Sequence, residues 1–175
     1  AVASLGTGVG AKFHLASLAG APSVSETGSA DVTSKVLATE DMTIHGYVGS
    51  TKVNLGARMD AKTIAETISV KESLTGVKAT AQTNARLTVT PDDCVNDYKT
   101  VSFEIKGMNT TAKMVSASIK MGSGDGIQTA DLSDLRDKIN GFSGSTGVMA
   151  TLGADKSYID LKSADGYDIS IDRFS

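Results

Sequence analysis

Glycines ahead of a lysine are one way to hold a phosphate, and "GTGVGAK", Gly6 to Lys12, has both residue types. A phosphate loop needs Gly-Lys-Ser/Thr directly before a helix, so that backbone N–H groups and the ammonium converge on one anion. Here Ala11 separates Gly10 from Lys12, Phe13 follows, and no strand precedes, so the stretch reads as a flexible linker. "GSGDG", Gly122 to Gly126, has no lysine partner and reads as a loop. A metal site would need His, Cys or carboxylates at ligand spacing. His14 and His45 are the only histidines, each in a strand-like run without a second ligand. Asp165, Asp168 and Asp172 lack the spacing of a calcium loop, and alternation puts Asp168 and Asp172 on a solvent face. Cys94 is the only cysteine, which excludes an intrachain disulfide and a multi-cysteine cluster; it reads as a small residue near a turn. No serine sits in a Gly-x-Ser-x-Gly elbow, and neither histidine has an obvious Asp partner. Asn109-Thr110-Thr111 is a formal N-glycosylation triplet. The residues therefore point to no catalytic, metal or cofactor site, and the chain is expected not to be an enzyme.

Composition narrows the class further. The chain has 175 residues, 40% hydrophobic and 21% charged, enough to bury a core. Aromatics are 5% with no Trp, which argues against a stacking surface for bases or sugars. The net charge is −3 and no Lys/Arg-rich run is present, so nucleic acid is not an expected partner. No apolar run approaches the roughly 20 residues of a membrane helix. "AVASLGTGVGAKFHLASLAG" at the N-terminus lacks the basic start and continuous apolar core of a signal peptide. It also begins without Met, and the chain is expected to be an excised segment of something longer.

What positions the remaining small-residue stretches is a repeat. "TISVKESLTGVKAT", Thr67 to Thr80, and "KINGFSGSTGVMAT", Lys138 to Thr151, align without a gap, Gly76 falling on Gly147. Across Ala61–Thr80 the identical pairs are Ile68/Ile139, Thr75/Thr146, Gly76/Gly147, Val77/Val148, Ala79/Ala150 and Thr80/Thr151. Identity at core and turn positions indicates a duplicated structural unit.

Each copy reads as strand, strand, helix, strand, strand. In the first, Asp60 is an N-cap, and Ala61, Ile64, Ala65 and Ile68 share one helical face. In the second, Asp131 is the expected N-cap, Asp134 adds negative charge in the first turn, and Leu132, Leu135 and Ile139 form the buried stripe. Gly141 stands where a left-handed cap would end that helix. The period then changes from 3.6 to 2. Val77, Ala79 and Ala81 alternate with polar residues, a turn follows near Thr83-Asn84, and Leu87 and Val89 point inward on a return strand. In the second copy Val148 and Ala150 begin a strand, Ile159 and Leu161 continue the pattern, and "SADG", Ser163 to Gly166, is a hairpin turn leading to Tyr167, Ile169 and Ile171. "MTIHGYV" and "TKVNLGA" precede the first helix; "TVSFEIKG" and "KMVSASIKM" precede the second. The fold class is α+β and β-rich, two repeated units, each a small antiparallel sheet covered by one short helix. Pro91-Asp92-Asp93 breaks the chain, which divides into residues 1–35, an N-terminal strand ("AKFHLASLA") and polar loop; 36–92, the first unit; and 93–175, the second.

"DLSDLRDKINGFSGSTGVMAT", with Leu132, Leu135, Ile139-Asn140, the small-residue loop, Thr146-Gly147-Val148 and Ala150, resembles the flagellin hook IN motif of bacterial flagellins and of some hook-associated and filament-cap proteins. The first copy, with Ile68, Gly76 and Val77, is a more divergent version in which Ser69 stands in place of the Asn. With their flanking strands the two cover residues 40–90 and 99–174. The resemblance implies a surface-exposed outer-domain segment of a flagellar filament protein, extracellular, with motility and surface display as its role and an antigenic surface. Its implied partners are other flagellin subunits, through core helices not contained in this segment, and host or other surfaces. It implies no cofactor, nucleic acid or membrane. A hook-associated or filament-cap segment, or an extracellular adhesin or carbohydrate-binding module, are the alternative readings. Within this frame Ile68, Gly76, Val77, Ile139, Asn140, Thr146, Gly147 and Val148 are structural residues, and Asn140 is expected to hydrogen-bond the loop backbone.

Overall fold

A computed structural model describes residues 30–32, 39–88, 98–124 and 127–173. The sequence expectations for Gly6–Lys12, His14, the strand "AKFHLASLA", Val89, Pro91–Asp93 and Cys94 lie outside the described residues. The fold is α+β and β-rich, with small antiparallel sheets and short helices. Two compact units divide the chain between Thr83 and Asn84, whereas the sequence reading put the division at 92/93. Residues 164–168 belong to the first unit, and Asn84–Ser163 with Ile169–Ser175 to the second.

In the first unit β2 (Glu40–His45) and β3 (Ser50–Leu55) form an antiparallel hairpin in which Met42 faces Val53 and Ile44 faces Thr51. Two-residue alternation buries Ile44, Val53 and Leu55 on one side while Asp41, Lys52 and Asn54 stay in solvent. Helix α1 (Ala61–Ser69) covers that side with Ile64, Ala65 and Ile68, spaced to share one face. It starts at Asp60, whose carboxylate accepts the Thr63 N–H at 2.7 Å. Gly166 supplies a further partner: its carbonyl accepts the Lys62 N–H at 3.1 Å, so a segment far along the chain helps close this helix end. A single turn, α2 (Glu72–Thr75), follows.

The second unit holds the larger core. Its five-stranded sheet has the order β1-β10-β5-β6-β7, built from β1 (Ala30–Val32), β5 (Tyr98–Lys106), β6 (Lys113–Gly124), β7 (Ile127–Asp131) and β10 (Ile169–Asp172). Val101, Phe103 and Ile105 alternate inward on β5, as do Val115, Ala117, Ile119 and Met121 on β6. Helix α3 (Ser133–Gly141) lays the wholly buried Leu135 and Ile139 over them, with Leu132 buried just before it, and α4 (Ser143–Thr146) follows. A three-stranded sheet, β4-β9-β8, completes the unit from β4 (Thr83–Thr88), β8 (Val148–Leu152) and β9 (Tyr158–Ser163). Arg86 ties β4 to β9 through a two-pronged ion pair with Asp160, at 2.7 and 3.1 Å, while its guanidinium lies 4.0 Å from the centre of the Tyr158 ring.

Several local expectations give way. Val77–Gln82 is not a strand, and no turn forms at Thr83-Asn84: β4 runs unbroken from Thr83 and pairs with β9 rather than with a preceding strand. Gly122–Gly124, read as a loop, extends β6, which pairs with β7. Ser163–Gly166 does turn, with Gly166 at φ 82°, but it joins strands of different sheets, and Tyr167 precedes β10. Gly141 is helical, and α3 passes through Phe142 into α4 without a left-handed cap there. Asp131 ends β7 instead of capping by position. Its carboxylate still serves the helix start, accepting the Ser133 N–H at 3.0 Å and the Ser133 hydroxyl. These bonds, with the Lys156 ammonium at 3.0 Å, hold the Asp131 carboxyl down at about 2.

Candidate functional site

The paired corners after α2 and α4 are where the repeated residues converge. Both short helices end on a glycine in the left-handed region, Gly76 at φ 72° and Gly147 at φ 68°. A side chain in that conformation brings its β-carbon against the neighbouring carbonyl, which glycine avoids. The Gly76 N–H reaches back to the Glu72 carbonyl at 2.6 Å, and the Gly147 N–H to that of Ser143 at 2.8 Å.

Threonine before each glycine does three jobs in a wholly buried position. Thr75 donates its hydroxyl to the Lys71 carbonyl at 2.9 Å and accepts the Val77 N–H at 3.1 Å; Thr146 repeats this with Phe142 and Val148 at 3.0 and 3.2 Å. Its carbonyl is the third contact. The carbonyl of Thr75 accepts the Val48 N–H at 3.3 Å, and that of Thr146 accepts the Met108 N–H at 2.9 Å. Each corner is thereby tied to the turn of its own unit's hairpin. Val148 then enters the core fully buried, while Val77 packs partly buried against the smaller core.

A second tie spans ten residues. Asn140 donates to the Ala150 carbonyl at 2.9 Å and accepts the Ala150 N–H at 2.7 Å, so its amide pairs with strand backbone and not with the loop as expected. Ser69 occupies the same place in the first unit. Its one hydroxyl donates to the Ala79 carbonyl at 3.1 Å and accepts the Ala79 N–H at 3.0 Å. Ser69 in place of Asn140 therefore preserves the bonding. A hydroxyl can both donate and accept, as an amide does with two atoms.

Residues outside the sequence expectation complete the corners. A β-carbon on Gly46 would lie 1.8 Å from the Thr75 carbonyl oxygen, and one on Gly107 would lie 2.2 Å from that of Thr146. Both would also meet the following valine methyl at 2.9 Å. Over the corner glycines sit Tyr47 in one unit and the Met108 thioether in the other. The signal for these four was obscured by spacing: Gly46 precedes Gly76 by 30 residues, but Gly107 precedes Gly147 by 40. The additional strand β7 and the longer β6 fall within that difference.

No family model matches this chain, and no curated protein matches it. His45 is exposed on β2, its Nδ1 bonded with the Ser50 hydroxyl at 2.7 Å. Asp165 is exposed and Asp168 and Asp172 are half-buried. Among the described residues no group of three His, Cys, Asp or Glu could hold a metal ion. No helix of the described residues is long and apolar enough to cross a membrane. What the arrangement can do is mechanical: each corner locks a helix end, a hairpin turn and the following extended chain into one hydrogen-bonded node.

Proposed function

We propose that this chain is a structural module, the surface-exposed outer-domain segment of a flagellin, extracellular and part of a bacterial flagellar filament. The reading is supported by one observation above the rest. The Ile-Asn…Thr-Gly-Val residues that resemble the hook IN motif are those that build the second corner, and the first corner reproduces its bonds with Ser69 in place of Asn140. A residue set devoted to backbone bonding and core packing suits a scaffold held away from a filament core, where it displays loops and bears shear. Other flagellin subunits are the partners of that reading, through core helices beyond this segment, with motility and surface display as the role.

Immunogold labelling of intact cells with antibodies raised against this chain tests it. Label distributed along the whole filament is expected. Label confined to the filament tip or to the hook would transfer the segment to a cap or hook-associated protein, and label elsewhere on the cell would overturn the flagellar reading.

A further inference from the structure

The two corners differ in what lies over the glycine, and that difference is chemical. In the first unit it is the Tyr47 ring; in the second it is the Met108 side chain, whose sulfur would lie 3.2 Å from a β-carbon at Gly147. Met108 keeps 42% of its surface exposed, and its own N–H holds the Thr146 carbonyl at 2.9 Å. We propose that Met108 is an oxidation site whose modification loosens the second corner and leaves the first untouched.

The oxidant class is a peroxide. Hydrogen peroxide delivers one oxygen atom to the thioether sulfur; the sulfur is oxidised by two electrons to the sulfoxide and the peroxide is reduced to water. An apolar, polarizable side chain becomes a polar one. The sulfoxide oxygen takes its hydrogen bonds from water, which draws the side chain away from Gly147. Removing that cover admits solvent to the Thr146–Gly147 backbone, where water competes for the hydrogen bonds that close the left-handed turn. Tyr47 has no sulfur to oxidise, so the Thr75–Gly76 corner keeps its cover. Met114 and Met149 are also exposed, at 54% and 62%, and take up oxygen alongside Met108, whereas Met121 at 4% is shielded. Met149 sits on β8 close to the corner, which makes it the control that matters.

The test is hydrogen exchange by mass spectrometry on the full chain before and after graded hydrogen peroxide, in wild type and Met108→Leu. Leucine keeps an apolar cover and has no sulfur for the peroxide to oxidise. In wild type the peptides spanning 142–148 are expected to exchange several-fold faster after oxidation, those spanning 71–77 to stay unchanged, and methionine sulfoxide reductase to restore the original rates. Met108→Leu is expected to show no acceleration at 142–148 although Met149 is oxidised. Acceleration of equal size in Met108→Leu would overturn the assignment in favour of another exposed methionine, Met149 or Met114. Full Met108 oxidation without faster exchange, or Met108 resisting peroxide that converts Met149, would overturn it as well.

Discussion

Set side by side, the corners at Gly76 and Gly147 share nearly every backbone bond and almost none of their surface chemistry. Thr75 and Thr146 make the same three contacts, and both glycines adopt the same left-handed turn. Yet Glu72, Ser73 and Leu74 match Ser143, Gly144 and Ser145, and an exposed Tyr47 matches Met108. Conformation constrains the buried hydroxyl, the positive φ and the close approach to the hairpin. It leaves free the residues whose side chains lie at the surface, including the two that cover the glycines. The cores differ too, since the second unit buries Phe103, Leu132, Leu135 and Ile139 completely while the first relies on a two-stranded hairpin and one helix. The same node is thus supported by unequal amounts of apolar packing, so losses set by local backbone geometry should be alike in the two units, while losses that depend on the surrounding core should differ.

The largest effect should come from the hairpin glycines. Gly46→Ala places a carbon 1.8 Å from the Thr75 carbonyl oxygen, and Gly107→Ala one at 2.2 Å from that of Thr146. The obstacle is backbone, so relief requires the hairpin and corner to separate, at about 3 kcal/mol for each. Chemical denaturation followed by exchange in each unit reads this. A loss below about 1 kcal/mol would show that the turns yield easily and would weaken the idea of a rigid node.

Next come the corner glycines. Gly147→Val puts a β-branched side chain at φ 68°, and Gly76→Val one at φ 72°, each costing about 2 kcal/mol. The two should differ little, because Tyr47, 86% exposed, can swing off the new side chain, as can Met108. An unchanged melting temperature for either variant would remove strain as the reason for glycine.

Much of this was legible in the sequence, and the parts that were not share a cause. Alternation in Val101–Ile105 and Val115–Ile119, the α1 and α3 stripes, and Thr-Gly-Val all report local rules: which side chain faces the core, and which backbone angle a residue tolerates. The strand β4 and the turn at Ser163–Gly166 obey partners far away in sequence. β4 finds β9, and the Gly166 carbonyl finds Lys62, and neither choice leaves a periodic mark. Gly141 misled for a related reason: glycine permits a left-handed cap without requiring one, and here α4 defers it to Gly147. The role of Asn140 was half visible, its hydrogen bonding expected but its partner ten residues away at Ala150.

The ties from each helix end to the extended chain beyond its corner should rank below the glycines and separate the two units. Asn140→Ala leaves the Ala150 N–H and carbonyl without partners in the larger core, at about 2 kcal/mol. Ser69→Ala removes one hydroxyl that serves both groups near a smaller core, at about 1 kcal/mol. A double mutant should show additive losses, since the sites share no bond. Equal losses in the two single variants would mean that the surrounding packing does not set the cost of an orphaned backbone pair.

The smallest effect belongs to the start of α3, where the two units part most clearly: Asp60 caps α1 directly, while Asp131 acts from the end of a strand through Ser133 and Lys156. The folded Asp131 carboxyl is depressed from 3.8 to about 2. A depressed folded value means that the unfolded chain takes up the proton first as pH falls, so the stabilisation is complete above the unfolded value and disappears as pH drops through the folded one. Stability owed to this group should therefore be full above pH 4 and fade between about 4 and about 2. The side chain remains 39% exposed, so solvent screening cuts its worth to about 1 kcal/mol or less. Asp131→Asn should be less stable than wild type at pH 7 and converge with it near pH 2, while added salt narrows the gap at neutral pH. A constant difference across the whole range would assign the contribution to the neutral hydrogen bonds of the side chain rather than to its charge.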